Sequence, residues 1–124
     1  MVMVRTVGYQ VFKLTKLEIL DLNENRIGKL PALVGELRAL VSLSIGSNKI
    51  EVIPNEIARL TRLRQLVLFG NRITVLPSDM DKLGSLEILT VSQNAIERFP
   101  ANLAEALTHL RELWYSLYTY TSNK

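Results

Sequence analysis

Residues 66–77 read LVLFGNRITVLP. Leu66 and Leu68 alternate with Val67 and Phe69, so an extended chain here is apolar on both faces. One face has to be core, and the other needs an explanation of its own. The copies of this stretch elsewhere in the chain supply it.

Asn25, Asn48, Asn71 and Asn94 stand 23 residues apart, and Pro31, Pro54, Pro77 and Pro100 keep the same interval. So do Leu17, Leu40, Leu63 and Leu86, and the set Ile27, Ile50, Ile73 and Ile96. Four residue types do not stay in step over four cycles by chance, so the repeat is the organising unit. Each cycle reads L-x-x-L-x-[LIV]-x-x-N-x-I, then three residues and a proline, in LEILDLNENRI, LVSLSIGSNKI, LRQLVLFGNRI and LEILTVSQNAI.

This pattern resembles the leucine-rich repeat family over nearly the whole chain. Its 23-residue length, with LP or IP after the asparagine, is similar to the intracellular Ras-group repeats. The resemblance implies an α/β repeat solenoid. That is a right-handed superhelix with a parallel β-sheet on its concave face and short 3₁₀, helical or extended segments on its convex face. It also implies a scaffold in intracellular signalling, with small GTPases, kinases or phosphatases as partner classes.

The residues carry the same plan physically. Before each asparagine the apolar period is two, as in a strand, so Leu20 and Leu22 face one way and Ile19, Asp21 and Asn23 the other. After each proline it becomes three, as in Val34, Leu37, Leu40 and Leu43, which is the spacing of 3₁₀ turns or extended loops. The step lengthens to four between Leu103 and Leu107, where a true helical stretch is expected. One coil cannot enclose its own leucines, so neighbours must stack. A single domain over 1–124 follows, with a partial repeat at 4–16, repeats at 17–39, 40–62, 63–85 and 86–109, and a partial repeat or tail at 110–124. Asn25, Asn48, Asn71 and Asn94 are expected to form a structural ladder, because an amide side chain both donates to and accepts from backbone groups of flanking loops.

In this frame Leu66 and Leu68 are core, while Val67 and Phe69 lie on the outward, concave face. The same face carries Ile19, Ser42, Gln65, Ile88 and Glu112 in one column, Asp21, Ser44, Val67, Thr90 and Trp114 in the next, and Asn23, Gly46, Phe69, Ser92 and Ser116 in a third. The first coil is acidic there, through Glu18, Asp21 and Glu24. Exposed aromatics ringed by polar groups suit a protein-binding surface, so Asp21, Arg64, Val67, Phe69, Ile88, Thr90 and Trp114 form the candidate partner-binding set. The competing reading has the last repeat folding over Phe69 and Trp114. Arg26, Lys49 and Arg72 form a second stripe past the asparagines, read as solvated loop, with an acidic or phosphate partner as the alternative.

At the C-terminal end Tyr118 stands where asparagine belongs. Three readings of the ends stay open: an aromatic cap, an excerpt of a longer repeat protein, or end-to-end self-association of half-repeats.

Composition excludes much else. There are no cysteines, and one histidine, His109, so neither disulfides nor the common zinc sites are expected, and no metal or other cofactor. The net charge of +3 is spread along the chain without a nucleic-acid reader motif. No window is apolar for long enough to span a membrane. Neither a glycine-rich phosphate loop nor a Ser-His-acid arrangement can be assembled, so no catalysis is expected. A cytoplasmic setting is expected from the cysteine-free composition and the lack of a leader segment.

Overall fold

In a computed structural model of the chain, the structure describes residues 8–101, Leu103 and the backbone of Glu112–Trp114. Strands β1 (Ile19–Asp21), β2 (Ser42–Ser44), β3 (Gln65–Val67), β4 (Ile88–Thr90) and β5 (Glu112–Trp114) form one parallel sheet in sequence order. The register keeps the repeat in line, pairing Leu20 with Leu43, Leu43 with Leu66, Leu66 with Leu89 and Leu89 with Leu113.

Between strands the chain returns through short 3₁₀ helices, at Tyr9–Lys13, Ala32–Glu36, Asn55–Arg59 and Ser78–Lys82. Pro31, Pro54 and Pro77 immediately precede the last three. Their carbonyls accept the first 3₁₀ bonds, from Val34, Ile57 and Met80 N–H. A fixed φ and a missing N–H suit proline to that position, where the donor would have no helical partner. Leu103 is helical and buried, and the rest of the expected 103–107 helix lies outside the described residues, as does His109.

The core is a column of identical layers. Leu43, Leu66 and Leu89 are fully buried, as are Ile45, Leu68, Ile50, Ile73, Leu40, Leu63 and Leu86. Three residues per turn on the return side and two per turn in the strand both aim at this interior, which is why the apolar period changes within each coil. Leu14 breaks the pattern, being 53% exposed where its counterparts Leu37, Leu60 and Leu83 are sealed.

After β1, β2, β3 and β4 the chain turns through a left-handed residue: Glu24, Ser47, Gly70 and Gln93 have φ of 58°, 55°, 69° and 55°. Only Gly70 adopts this region without a steric cost. Glu24 and Ser47 are held by the coil beside them. Glu24 N–H donates to Gly46 O at 2.9 Å and Ser47 N–H to Phe69 O at 2.8 Å.

The asparagine that follows completes the joint. Asn71 Oδ1 accepts from Ile50 N–H at 3.0 Å, while its Nδ2 donates to Ile45 O of the preceding coil and to Leu68 O and Phe69 O of its own. Asn48 does the same with Ile27 N–H, Leu22 O, Ile45 O and Gly46 O. Asn94 does so with Ile73 N–H, Leu68 O, Val91 O and Ser92 O. Asn25 donates to Leu22 O and Asn23 O. These three inner asparagines are the buried polar residues of the described region. Replacing Asn71 by alanine strands buried backbone groups of two coils, and should cost about 3 kcal/mol in a urea melt. Arg72→Ala, one residue on and exposed, should change the unfolding free energy by less than about 0.5 kcal/mol.

Candidate functional site

The open face of the sheet is built from the residues that alternate with the leucines. Parallel register places Ile19, Ser42, Gln65, Ile88 and Glu112 in one row and Asp21, Ser44, Val67, Thr90 and Trp114 in the next. Neighbours within a row stand one strand spacing apart, about 4.8 Å. No described element packs over these rows, since the 3₁₀ helices contact one another and the strands contact one another.

The structure thus brings Asp21, Val67 and Thr90 into one row, with Ile88 in the row beside them. Asp21 is exposed, and its Oδ1 accepts from Asn23 N–H at 3.0 Å. Arg64 lies at the rim, with its Nε 3.6 Å from Glu87 Oε2. The Arg64 side chain is largely solvated and the Glu87 side chain partly so, and the contact is long, so this pair contributes little to stability. Trp114 is placed by its backbone beside Thr90, and its side chain lies outside the described residues. The expectation that the last repeat folds over Phe69 and Trp114 lies there too.

Val67 differs from the sequence expectation. It faces the open side but is only 8% exposed, flanked in its row by Ser44 and Thr90, with Phe69 two residues along the same face. Thr90 Oγ1 is likewise shielded from solvent and meets no hydrogen-bond partner among the described residues. By contrast Ile19, on the edge strand, is 68% exposed.

Phe69 is half-buried, and its ring has a seat that periodicity alone does not disclose. A Cβ built on Gly46 would lie 2.6 to 2.9 Å from three ring carbons, so the ring rests on the bare backbone of the preceding coil. Asn23 holds that backbone in turn, its Oδ1 accepting from Gly46 N–H at 2.6 Å. Asn23, Gly46 and Phe69 share one column of the repeat frame, as the sequence places them, but that column does not say that the ring lies back on the glycine.

Among the described residues no three of His, Cys, Asp and Glu gather closely enough to hold a metal ion. Nor is any described helix long and apolar enough to cross a membrane.

Residues 15–73 match the family profile described as "Leucine rich repeat". These coils are leucine-rich repeats. No curated protein sequence matches the chain. Among solved structures, a leucine-rich repeat protein of Leptospira interrogans is similar at 32% identity and a TM-score of 0.89, covering 92% of this chain. An internalin from Listeria monocytogenes is similar at 30% identity and 0.80 over 90%. A plant peptide hormone receptor, solved in complex with RGF2, is similar at 28% identity and 0.81 over 88%. The leucine-rich repeat chain spans 29%, 32% and 18% of those three proteins, respectively.

The seat beneath Phe69 can be tested by substitution. Gly46→Ala should cost about 1–3 kcal/mol by driving the ring off its support. Gly28→Ala, whose added Cβ meets nothing within 4 Å, should be neutral or stabilising by up to about 1 kcal/mol. Chemical denaturation of the two variants reads both.

Proposed function

We propose that this chain is a non-catalytic recognition module that holds a protein or peptide segment on the open face of its sheet. The observation that carries this reading is the uncovered face itself. Apolar Ile19, Phe69 and Ile88 stand among Ser42, Ser44, Gln65 and Asp21, with no described element packed above them. A rigid, mostly polar surface with a few fixed apolar side chains gives a partner area to bury and loses little entropy on binding. The plant receptor's complex with RGF2 supports a peptide or protein as the kind of partner. The signalling context, with a small GTPase, kinase or phosphatase as partner and a cytoplasmic setting, rests on the resemblance of the repeats and the cysteine-free composition.

The test is capture of binding proteins by the immobilised chain, with mass spectrometry of what is retained. A Phe69→Ser, Ile88→Ser variant should lose the captured partner by about tenfold or more while keeping a cooperative melt. Retention at the wild-type level by a folded variant would refute the reading.

One observation favours a second reading, pairing through the first coil. β1 is an edge of the sheet among the described residues, with Ile19 and Leu14 exposed beside it. A groove of about 410 Å³, lined by Lys13–Leu17, opens next to that edge. An unpaired strand edge with apolar neighbours is a template for another strand. Light scattering across a concentration series should then show mass growth that Ile19→Lys abolishes. A constant monomer mass at the highest concentration contradicts this second reading.

A further inference from the structure

Immediately after the asparagine ladder each coil has left the sheet and runs along a flank between its strand and the next return. There RIGKL, KIEVI, RITVL and AIERF begin at Arg26, Lys49, Arg72 and Ala95. In each, the second and fifth residues turn inward: Ile27, Ile50, Ile73 and Ile96 are buried, as are Leu30, Ile53 and Leu76. The first, third and fourth residues of every coil are exposed.

This flank is not a loose set of loops. Lys49 N–H donates to Ile27 O, Arg72 N–H to Ile50 O and Ala95 N–H to Ile73 O, each at 2.9 Å. Backbone bonding between successive coils keeps their spacing close to that of the sheet, so Arg26, Lys49 and Arg72 form a row of cations at about 5 Å backbone intervals. Like charges in adjacent register repel. None of the three meets a carboxylate within ion-pair distance among the described residues, where the ion pairs are Arg59–Glu36, Arg64–Glu87 and Lys82–Asp79.

A second row lies beside the first. Its ends are Lys29 and Arg98, and its middle is Val52 and Val75, which are 64% and 56% exposed. Past Val75 a groove of about 320 Å³ continues between the third and fourth coils, lined by Leu76, Arg98, Phe99 and Pro100 among others. The strip as a whole has five cations against two carboxylates, Glu51 and Glu97.

We infer that this flank is a second binding surface, whose partner is an acidic protein segment with aliphatic side chains interspersed. Charge complementarity selects the acid: three cations held in register by their backbone, without an ion-pair partner among the described residues, offer a row that glutamates or aspartates neutralise as they dock. The two valines and the adjoining groove select protein over a polyphosphate or a nucleic-acid strand. Nucleic-acid strands are held on exposed aromatic platforms, and the exposed positions of the strip carry none, Phe99 being half-buried where it lines the groove. The surface is separate from the open sheet face, so it would leave that face available to another partner.

The experiment uses the full chain and a fluorescein-labelled peptide of alternating glutamate and leucine as probe, read by anisotropy at two salt concentrations. The comparison probes are a polyglutamate peptide, a single-stranded oligonucleotide and a lysine–leucine peptide. Binding of the glutamate–leucine probe is expected, weakening as salt rises. An Arg26→Glu, Lys49→Glu, Arg72→Glu variant should bind it roughly tenfold or more weakly. A Val52→Ser, Val75→Ser variant should lose about threefold with the same salt dependence. Phe69→Ser, on the other face, should leave this binding unchanged. Each variant's melt establishes that it is folded, and single substitutions at Lys49 or Arg72 replace the triple variant if it is not. Absence of binding, survival of binding in the charge-reversed protein, or equal binding of polyglutamate or the oligonucleotide each overturns the inference.

Discussion

The structure depends on one side chain doing four things at once. The amide of each inner asparagine accepts a hydrogen bond from one coil and donates to carbonyls of two. At this joint the backbone leaves the strand through a left-handed residue, so the sheet ladder cannot satisfy the groups that follow. Buried and unpaired, they would oppose stacking by an amount comparable to what a coil gains from burying a leucine. The asparagine also fixes how successive coils dock, its reach joining residue 71 to residues 45 and 50. The sheet register holds even where a coil is one residue longer, since Ile88 pairs with Glu112 across 24 residues and the earlier strands pair across 23.

Once the joint is in place, the two faces of each strand part company. The inner face must be leucine, isoleucine or valine, because a solenoid layer has no other way to exclude water. The outer face carries no such duty, and its composition varies from coil to coil: Asp21, Ser44, Val67 and Thr90 occupy one row. Variation on a surface with uniform backbone is how a repeat protein acquires an individual binding character. The flank after each asparagine is equally free, and there the variation takes the form of charge.

The architecture was legible because every coil states it again. Strand, turn, ladder and return each have a local pattern, and four copies in step leave little room for another assignment. The site was legible only as an address. Alternation places Val67 and Phe69 on the open side, but how far Val67 is covered depends on side chains two residues away and in neighbouring coils. That Phe69 lies back on Gly46 depends on a missing Cβ one coil earlier and on a ring direction no period encodes. Glu24, Ser47 and Gln93 carry no mark of a left-handed backbone either, since glycine stands at only one of those four positions. For Glu24 and Ser47 the neighbouring coil holds it, through their N–H bonds to Gly46 O and Phe69 O.

Every joint in the stack presents the same socket to the next. What Asn48 finds in the coil before it, Asn71 and Asn94 find in theirs, down to the carbonyls they meet. A gene segment encoding one full coil can therefore be copied or deleted in frame without redesigning any junction. Growth by duplication leaves the fold intact and adds a fresh strip of surface, on which later point mutations are free to write a new specificity.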